Sequence, residues 1–588
     1  MTLKGGSFLT QTTDPNSVFT AEEWNEEQLM LKKMTHDFLE AELHHLPQEP
    51  EASKDLEFVA NLLEKSAELG LCGLSIAEEY GGLDLDFNTG LLFTEAIAPG
   101  FSFATTIGAQ TSIGSLPIVY YGTEDQKKKY LPKIATAAYK TSYALTEPDA
   151  GSDANSGKTK AILNNEKTHY IINGQKMWIT NGGFADIFIV FAKIEDDENL
   201  SAFIVEKAFG GITLGEEEKK LGIKGSSTVQ VFFNDCKVPT DNLLGKRNEG
   251  FKIALNILNS GRIKLAAGAV GGSKFALSQA ISYANERKQF GKSISEFTAM
   301  QYKIGEMARM IYASESAIYR TGKNIDLKEK ELEESGLSTN EIKLKALREY
   351  AIECAILKVY CTEVLDYSVD ETLQIYGGMG YSVETGVEMG YRDARITRIY
   401  EGTNEINRML SFAELMKRAF KTKEVKLLAA GKKLPLFILK RALPFQNINV
   451  KNTIANLKAL FLILSGITGK KLGMKLADEQ ELVMDLSDLL SEAYIAESLY
   501  LRTEKVKTLS TDKNELAIKQ AILDLHIYMT LQKIQNKATT IIDSLPEKSR
   551  KRFLKWTVKL LTKQEDINPT ELRRKIAVYF IEKGTYNW

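Results

Sequence analysis

The 588-residue chain reads as mainly α with a central β domain, and three features of its patterning say so. Apolar positions recur at three-and-four spacing through residues 20–140 and again from 250 to about 418, the period of amphipathic helices. Between them the spacing gives way to β-rich runs bounded by Asn-Gly and Gly-Gly turns. Beyond 418 the helical spacing returns in a lysine-rich segment.

In chain order, 22–43 and 54–69 carry the helical spacing, punctuated by Gly81-Gly82 and Gly100. Thr123-Glu124-Asp125-Gln126 has the form of a capping box, which places a helix start ahead of 127–134. Segments 168–174, 185–192 and 229–234 read as strands, so 141–245 is expected to be a compact antiparallel β domain. Long helical segments follow at 251–287, 298–324 and 339–376. The charged stretch 328–334, followed by Ser335-Gly336, reads as a solvated loop or hairpin between helices. The expected organisation is a helical domain over 1–140, the β domain over 141–245, a helical bundle over 246–418 and a helical extension over 419–588.

Composition narrows the function classes. Apolar content of 44% and charged content of 26% fit an ordinary soluble globular protein, and a net charge of -2 gives no reason to expect nucleic acid. The cysteines (Cys72, Cys236, Cys354, Cys361) make no CxxC pair and the histidines form no HExxH cluster, so no metal site is expected. Residues 1–16 are polar, with neither the apolar core of a signal peptide nor an Arg-rich transit pattern, and no run reaches the apolar length of a spanning helix. The expectation is a cytoplasmic, reduced protein. No GxGxxG follows a strand and no GxSxG elbow occurs; Gly245 to Gly250 imitates a phosphate loop, but Phe251 stands where its lysine must be.

Five segments carry chemistry. Glu401 lies between Arg392, Arg395, Arg398 and Arg408, beside Gly402, whose missing Cβ lets backbone approach a ligand. A partly desolvated carboxylate there would be a general base; the alternative is a solvated Glu at a helix start with Thr403 or Asn404 as N-cap. Tyr143-Ala144-Leu145-Thr146 through Gly151-Ser152-Asp153 ends a strand in a loop of hydroxyls and amides. Lys176-Met177-Trp178-Ile179-Thr180 would, by alternation, put Trp178 and Thr180 on one face, although Trp178 alone reads as core. Arg287 with Phe290 pairs a guanidinium with an aromatic at a helix end, and Gln374-Ile375-Tyr376-Gly377-Gly378 offers close backbone approach.

In this order the segments resemble the acyl-CoA dehydrogenase family over about 20–415. Gly108-Ala109-Gln110-Thr111, Leu258-Asn259-Ser260-Gly261-Arg262 and the C-terminal extension look closest to its very-long-chain branch. The resemblance implies FAD held between the β and helical domains, with Tyr143, Leu145, Thr146 and Ser152 in the flavin loop, Ser152 also near substrate, and Trp178 and Thr180 flanking the ring. Arg287, Phe290, Gln374, Gly377 and Gly378 would reach the FAD of a partner subunit; Thr403 and Glu405 match adenine-side contacts, although Glu405 replaces an amide. Glu401 matches the base that removes a proton beside the thioester carbonyl, with Gly402 against substrate. Some members carry the base just before the arginine matching Arg262; here that residue is Gly261, and Arg262 would contact CoA.

The implied activity is dehydrogenation of long or very-long-chain acyl-CoA to trans-2-enoyl-CoA in fatty-acid β-oxidation. The implied partners are electron-transfer flavoprotein and a second copy in a homodimer. Rival readings are a non-catalytic assembly or scaffold relative and an acyl-CoA oxidase. Residues 417–441 hold nine Lys/Arg against Glu424, interleaved with apolar residues, which suits contact with the inner face of an anionic membrane. Gly431 and Pro435 are expected to interrupt any single helix there, and the alternative is a solvated linker.

Overall fold

The computed structural model describes residues 3–46, 51, 54–443, 449–545 and 550–588. The N-terminal helices are α1 (Glu26–Leu39), α2 (Leu56–Glu68), α3 (Phe87–Ile97), α4 (Ser102–Gly108), α5 (Leu116–Tyr121) and α6 (Glu124–Ala135). The capping box at the start of α6 forms as expected: Gln126 N–H donates to Thr123 Oγ1 at 3.2 Å, and Thr123 N–H donates to Gln126 Oε1 at 3.0 Å. α4 runs into a π-helical turn at Ala109–Gly114, a widened form frequent at functional sites.

The strands are β1 (Thr141–Ala144), β2 (Lys160–Leu163), β3 (His169–Thr180), β4 (Ile187–Ile194), β5 (Ser201–Glu206), β6 (Ile212–Leu214), β7 (Thr228–Pro239) and β8 (Leu243–Leu244). Their order is β6-β7-β3-β2-β4-β5-β8, with β1 also on β4. The sheet is not purely antiparallel, because β1 and β2 run parallel to β4. β4 is therefore interior to the sheet and apolar but for Lys193. One face packs with Val231, Phe233 and Phe203. The other packs under Val119 of α5, Leu131 of α6 and Ile253 and Ile257.

The bundle comprises α7 (Gly250–Glu286), a hairpin of β9 (Lys288–Gln289) and β10 (Lys292–Ser293), α8 (Thr298–Leu332), α9 (Thr339–Glu349), α10 (Ala351–Tyr376), α11 (Gly378–Tyr381), α12 (Val387–Ala394) and α13 (Asn404–Phe420). Two expectations fail here. The charged stretch 328–334 is largely helix: α8 continues to Leu332, braced by Lys328–Glu331 at 3.4 Å, and the turn waits for Gly336 at φ 73°. The segment 339–376 is two helices. Its break at buried Tyr350 has no local breaker; the Tyr350 hydroxyl donates to the Leu3 carbonyl at 2.7 Å, so a tertiary contact sets it.

The C-terminal helices are α14 (Leu427–Ala442), α15 (Val450–Leu472), α16 (Gln480–Leu509), α17 (Lys513–Ser544), α18 (Lys551–Leu561) and α19 (Pro569–Lys583). They share one apolar core with the bundle. Buried charges run across the junction: Arg502 pairs with Glu22 and Glu315, Lys519 with Glu22, and Lys274 with Glu315 and Glu95. α14 is a single helix despite Gly431 and Pro435. Pro435 is exposed, while Leu434, Phe437 and Ile438 pack on the core and hold the turns either side of it. α15 is long and apolar enough, by length and composition only, to cross a membrane, although it holds no unbroken apolar run of that length, and 56% of its apolar window is buried inside the protein.

Candidate functional site

Glu401 stands on the wall of a cavity of about 240 Å³ lined by α3, the α4–π turn, α7, α10, α12 and the 397–401 segment. Its backbone is left-handed at φ 58°, followed by Gly402 at φ 79°, a turn that is strained for a residue with a Cβ. The turn is clamped from behind. Asn407 Nδ2 donates to the carbonyls of Glu401, Gly402 and Thr403 at 3.3, 2.7 and 3.1 Å. Lys358 Nζ donates to Gly402 O at 2.8 Å and to Asn404 Oδ1 at 2.7 Å, and Arg262 Nε reaches Glu401 O at 3.4 Å. Thr403 caps α13, its Oγ1 accepting from Ile406 N–H. With these carbonyls held inward, the Glu401 N–H has no acceptor among the described residues.

The carboxylate is not the solvated one of the alternative reading. Its Oε2 is buried without a hydrogen-bond partner. Burial pushes its pKa up from 4.5 to about 7, against the opposing pull of Arg262 and Lys358. The arginines flanking it in sequence serve elsewhere: Arg408 binds Glu363 and Asp488, Arg398 binds Asp366, and Arg392 binds Glu388. Arg262, expected on CoA, is 4% exposed and lies under the Glu401 turn, its second donor on Asn259 Oδ1 at 2.7 Å. Gly261 faces the carboxylate so closely that a Cβ there would stand 2.7 Å from Oε2.

The remaining site residues fall into two groups. Tyr143 lies near enough for the Glu401 charge to act on its buried hydroxyl, which has no partner. Thr180 lines the same cavity. Trp178 is not core: it is 53% exposed, and a register shift between Lys176 and Ile179 with φ 60° at Trp178 breaks the simple alternation. The loop after β1 is fixed by a buried pair absent from the sequence reading, Lys176 Nζ on Glu147 at 2.6 Å. Leu145 is buried and its carbonyl accepts from Lys176, Thr146 O accepts from Met177 N–H, and Ser152 is exposed.

The second group sits apart. Arg287 caps the far end of α7, 26 residues beyond Gly261, about 39 Å along the axis at 1.5 Å per residue. Phe290 there is 93% exposed. Gln374, Gly377 and Gly378 are exposed too, and Tyr283 stacks on Tyr376 at 4.0 Å to join the two segments on one surface. Glu405 is exposed at the start of α13.

The sequence reading also missed Lys358 and Asn407, which lie in helices with no local pattern to mark them.

Comparisons with known proteins converge. Family models for the acyl-CoA dehydrogenase N-terminal domain match 25–138, the middle domain 142–236, and two C-terminal domains 248–416 and 456–559. A probable acyl-CoA dehydrogenase of Bacillus subtilis is 40% identical over 99% of this chain and 98% of its own length. The mouse mitochondrial very long-chain specific acyl-CoA dehydrogenase is 41% identical over 59% of this chain and 52% of its own. The crystal structure of an acyl-CoA dehydrogenase complexed with FAD from Bacillus anthracis superposes over the whole of both chains with a TM-score of 0.95 at 39% identity. The chain belongs to the acyl-CoA dehydrogenase family.

Proposed function

We propose that this enzyme dehydrogenates long-chain acyl-CoA thioesters to trans-2-enoyl-CoA in fatty-acid β-oxidation, with Glu401 as general base and FAD as cofactor. The observation that carries the reading is the unpartnered Glu401 carboxylate on an apolar cavity wall, its pKa pushed to about 7. A carboxylate so poised takes a proton from the carbon beside a thioester carbonyl near neutral pH. The free Glu401 N–H would donate to the thioester oxygen as charge develops there, a contribution of about 3 kcal/mol.

The residues fit a flavin. Half-exposed Trp178 offers a ring face, Thr180 a hydroxyl on the cavity wall, and Tyr143 an orphaned one. Bound FAD would accept the hydride from the next carbon. The distance of Arg287, Phe290 and Gln374 to Gly378 from this centre supports a homodimer in which they serve the partner's cofactor. The length of the cavity supports a long chain: α7 lines it from Gly261 to Gln279, about 27 Å, largely with Gly261, Gly268, Ala269, Gly272 and Ala276. Electron-transfer flavoprotein is the proposed acceptor. Leu428, Leu436 and Leu439 stand exposed among lysines on α14, which supports peripheral contact with the inner face of the cytoplasmic membrane.

Anaerobic titration with acyl-CoAs of graded length tests the reading. Wild type is expected to be bleached by palmitoyl-CoA, while Glu401→Gln keeps its flavin and is not reduced. Full reduction of that variant would overturn the base, and a protein purified without flavin would overturn the enzyme reading.

A further inference from the structure

We propose that the cavity contains a subsite for a second anionic group on the acyl chain, formed by Lys264 and Ser112, so that the enzyme accepts thioesters carrying a distal carboxylate. This rests on the reading of the cavity as the acyl site.

Lys264 lines the cavity on the same face of α7 as Gly261, Leu265, Gly268 and Gly272. It lies three residues past Gly261, about 4.5 Å further along the axis from the position facing Glu401. Neither a hydrogen bond nor an ion pair engages it among the described residues. Lys274, on the same helix, shows the contrast, because Glu95 and Glu315 brace it. Neither acid that lines the cavity pairs with Lys264: Glu401 feels Arg262 and Lys358, and Asp393 accepts the Ile223 N–H. Burial alone lowers the Lys264 ammonium to about 8, so it remains a cation at neutral pH.

Ser112, 5% exposed on the facing π-helical turn, has a buried hydroxyl without a partner and lines the same cavity. A half-buried ammonium without a partner and a buried hydroxyl without one are both unfavourable, and a ligand carboxylate offers acceptors to both. A carboxylate supplies the charge and the acceptors; the methyl end of a plain fatty chain supplies neither. Plain chains still pass, because the four methylenes of the lysine stem continue the apolar wall. The subsite therefore adds a substrate class without closing the cavity to the first.

The test compares kcat/KM for hexanoyl- and octanoyl-CoA with that for adipyl- and suberyl-CoA on the full-length holoenzyme. Lys264→Met is expected to lower the dicarboxylyl-to-monocarboxylyl ratio by about 10- to 100-fold, the range of one charge-assisted hydrogen bond. Lys264→Arg should restore most of that ratio, and Ser112→Ala should lower it less. An unchanged ratio in Lys264→Met overturns the subsite, as does an equal fall on both series or an altered flavin spectrum, which would place Lys264 in the flavin site. If neither series reduces the wild-type flavin, the catalytic reading fails by itself. Calorimetric binding of suberyl-CoA against octanoyl-CoA to wild type and Lys264→Met then decides the subsite alone.

Discussion

Replacing Gly261 by alanine should give a folded protein with little activity. The new Cβ would stand 2.7 Å from Glu401 Oε2, 2.9 Å from its Cδ and 3.2 Å from Oε1. Comfortable contact lies near 3.5–4.0 Å, so the carboxylate must retreat by about 1 Å. The obstacle is the tip of a flexible side chain, and an off-rotamer Glu costs about 0.5–1.5 kcal/mol. Alanine inside a helix returns about 0.5–1 kcal/mol relative to glycine. The net change in stability is about 1 kcal/mol or less, a shift of a few degrees in Tm. Catalysis has no such offset, because a misplacement of about 1 Å costs on the order of 100-fold. Thermal unfolding and anaerobic stopped-flow bleaching by palmitoyl-CoA measure the two effects separately. A wild-type bleaching rate would refute the placement of the carboxylate against position 261; a fall in Tm of about 10 °C or more would refute the cheap relief.

Other outcomes follow from the same geometry. The base must be ionised, so the bleaching rate should rise with pH through about 7, and Lys358→Met, which removes a cation that lowers Glu401, should move that midpoint upward; a flat profile from about pH 5.5 to 8.5 contradicts the assignment. Because the folded pKa is raised from 4.5, the stability contributed by neutral Glu401 is present below 4.5 and lost as pH rises through about 7. Glu401→Gln should therefore melt higher than wild type above pH 7 and equally at low pH, as scanning calorimetry would show. Glu147→Gln leaves fully buried Lys176 without its anion and should cost about 3–5 kcal/mol together with flavin occupancy. An unchanged Tm in that variant would show that the pair does not hold the loop.

Much of this protein is local and therefore written in the chain. The capping box at Thr123, the switch from helical to β spacing near Tyr143 and the glycine beside Glu401 each depend on residues a few positions apart. So does the identity of the carboxylate, since the turn that strains it needs Gly402 as its neighbour. Where local rules failed, a distant contact had overruled them. Tyr350 breaks a helix by reaching Leu3, and α14 crosses Pro435 because its apolar side is held on the core. β4 takes parallel partners because it is sandwiched between two buried faces.

The site divides the same way. Sequence marked Glu401 as the proposed base and the segments proposed to meet a flavin. Only the tertiary structure decided what surrounds that carboxylate. It engaged Arg392, Arg398 and Arg408 elsewhere and brought Arg262 and Lys358, 139 and 43 positions off, beneath the carboxylate. It exposed Trp178, set Arg287 about 39 Å down α7 from Gly261, and left Lys264 alone on an apolar wall. The reason is physical: propensity and turn chemistry act over a few residues, whereas desolvation and charge act across space, and both raise or lower a pKa without regard to sequence distance.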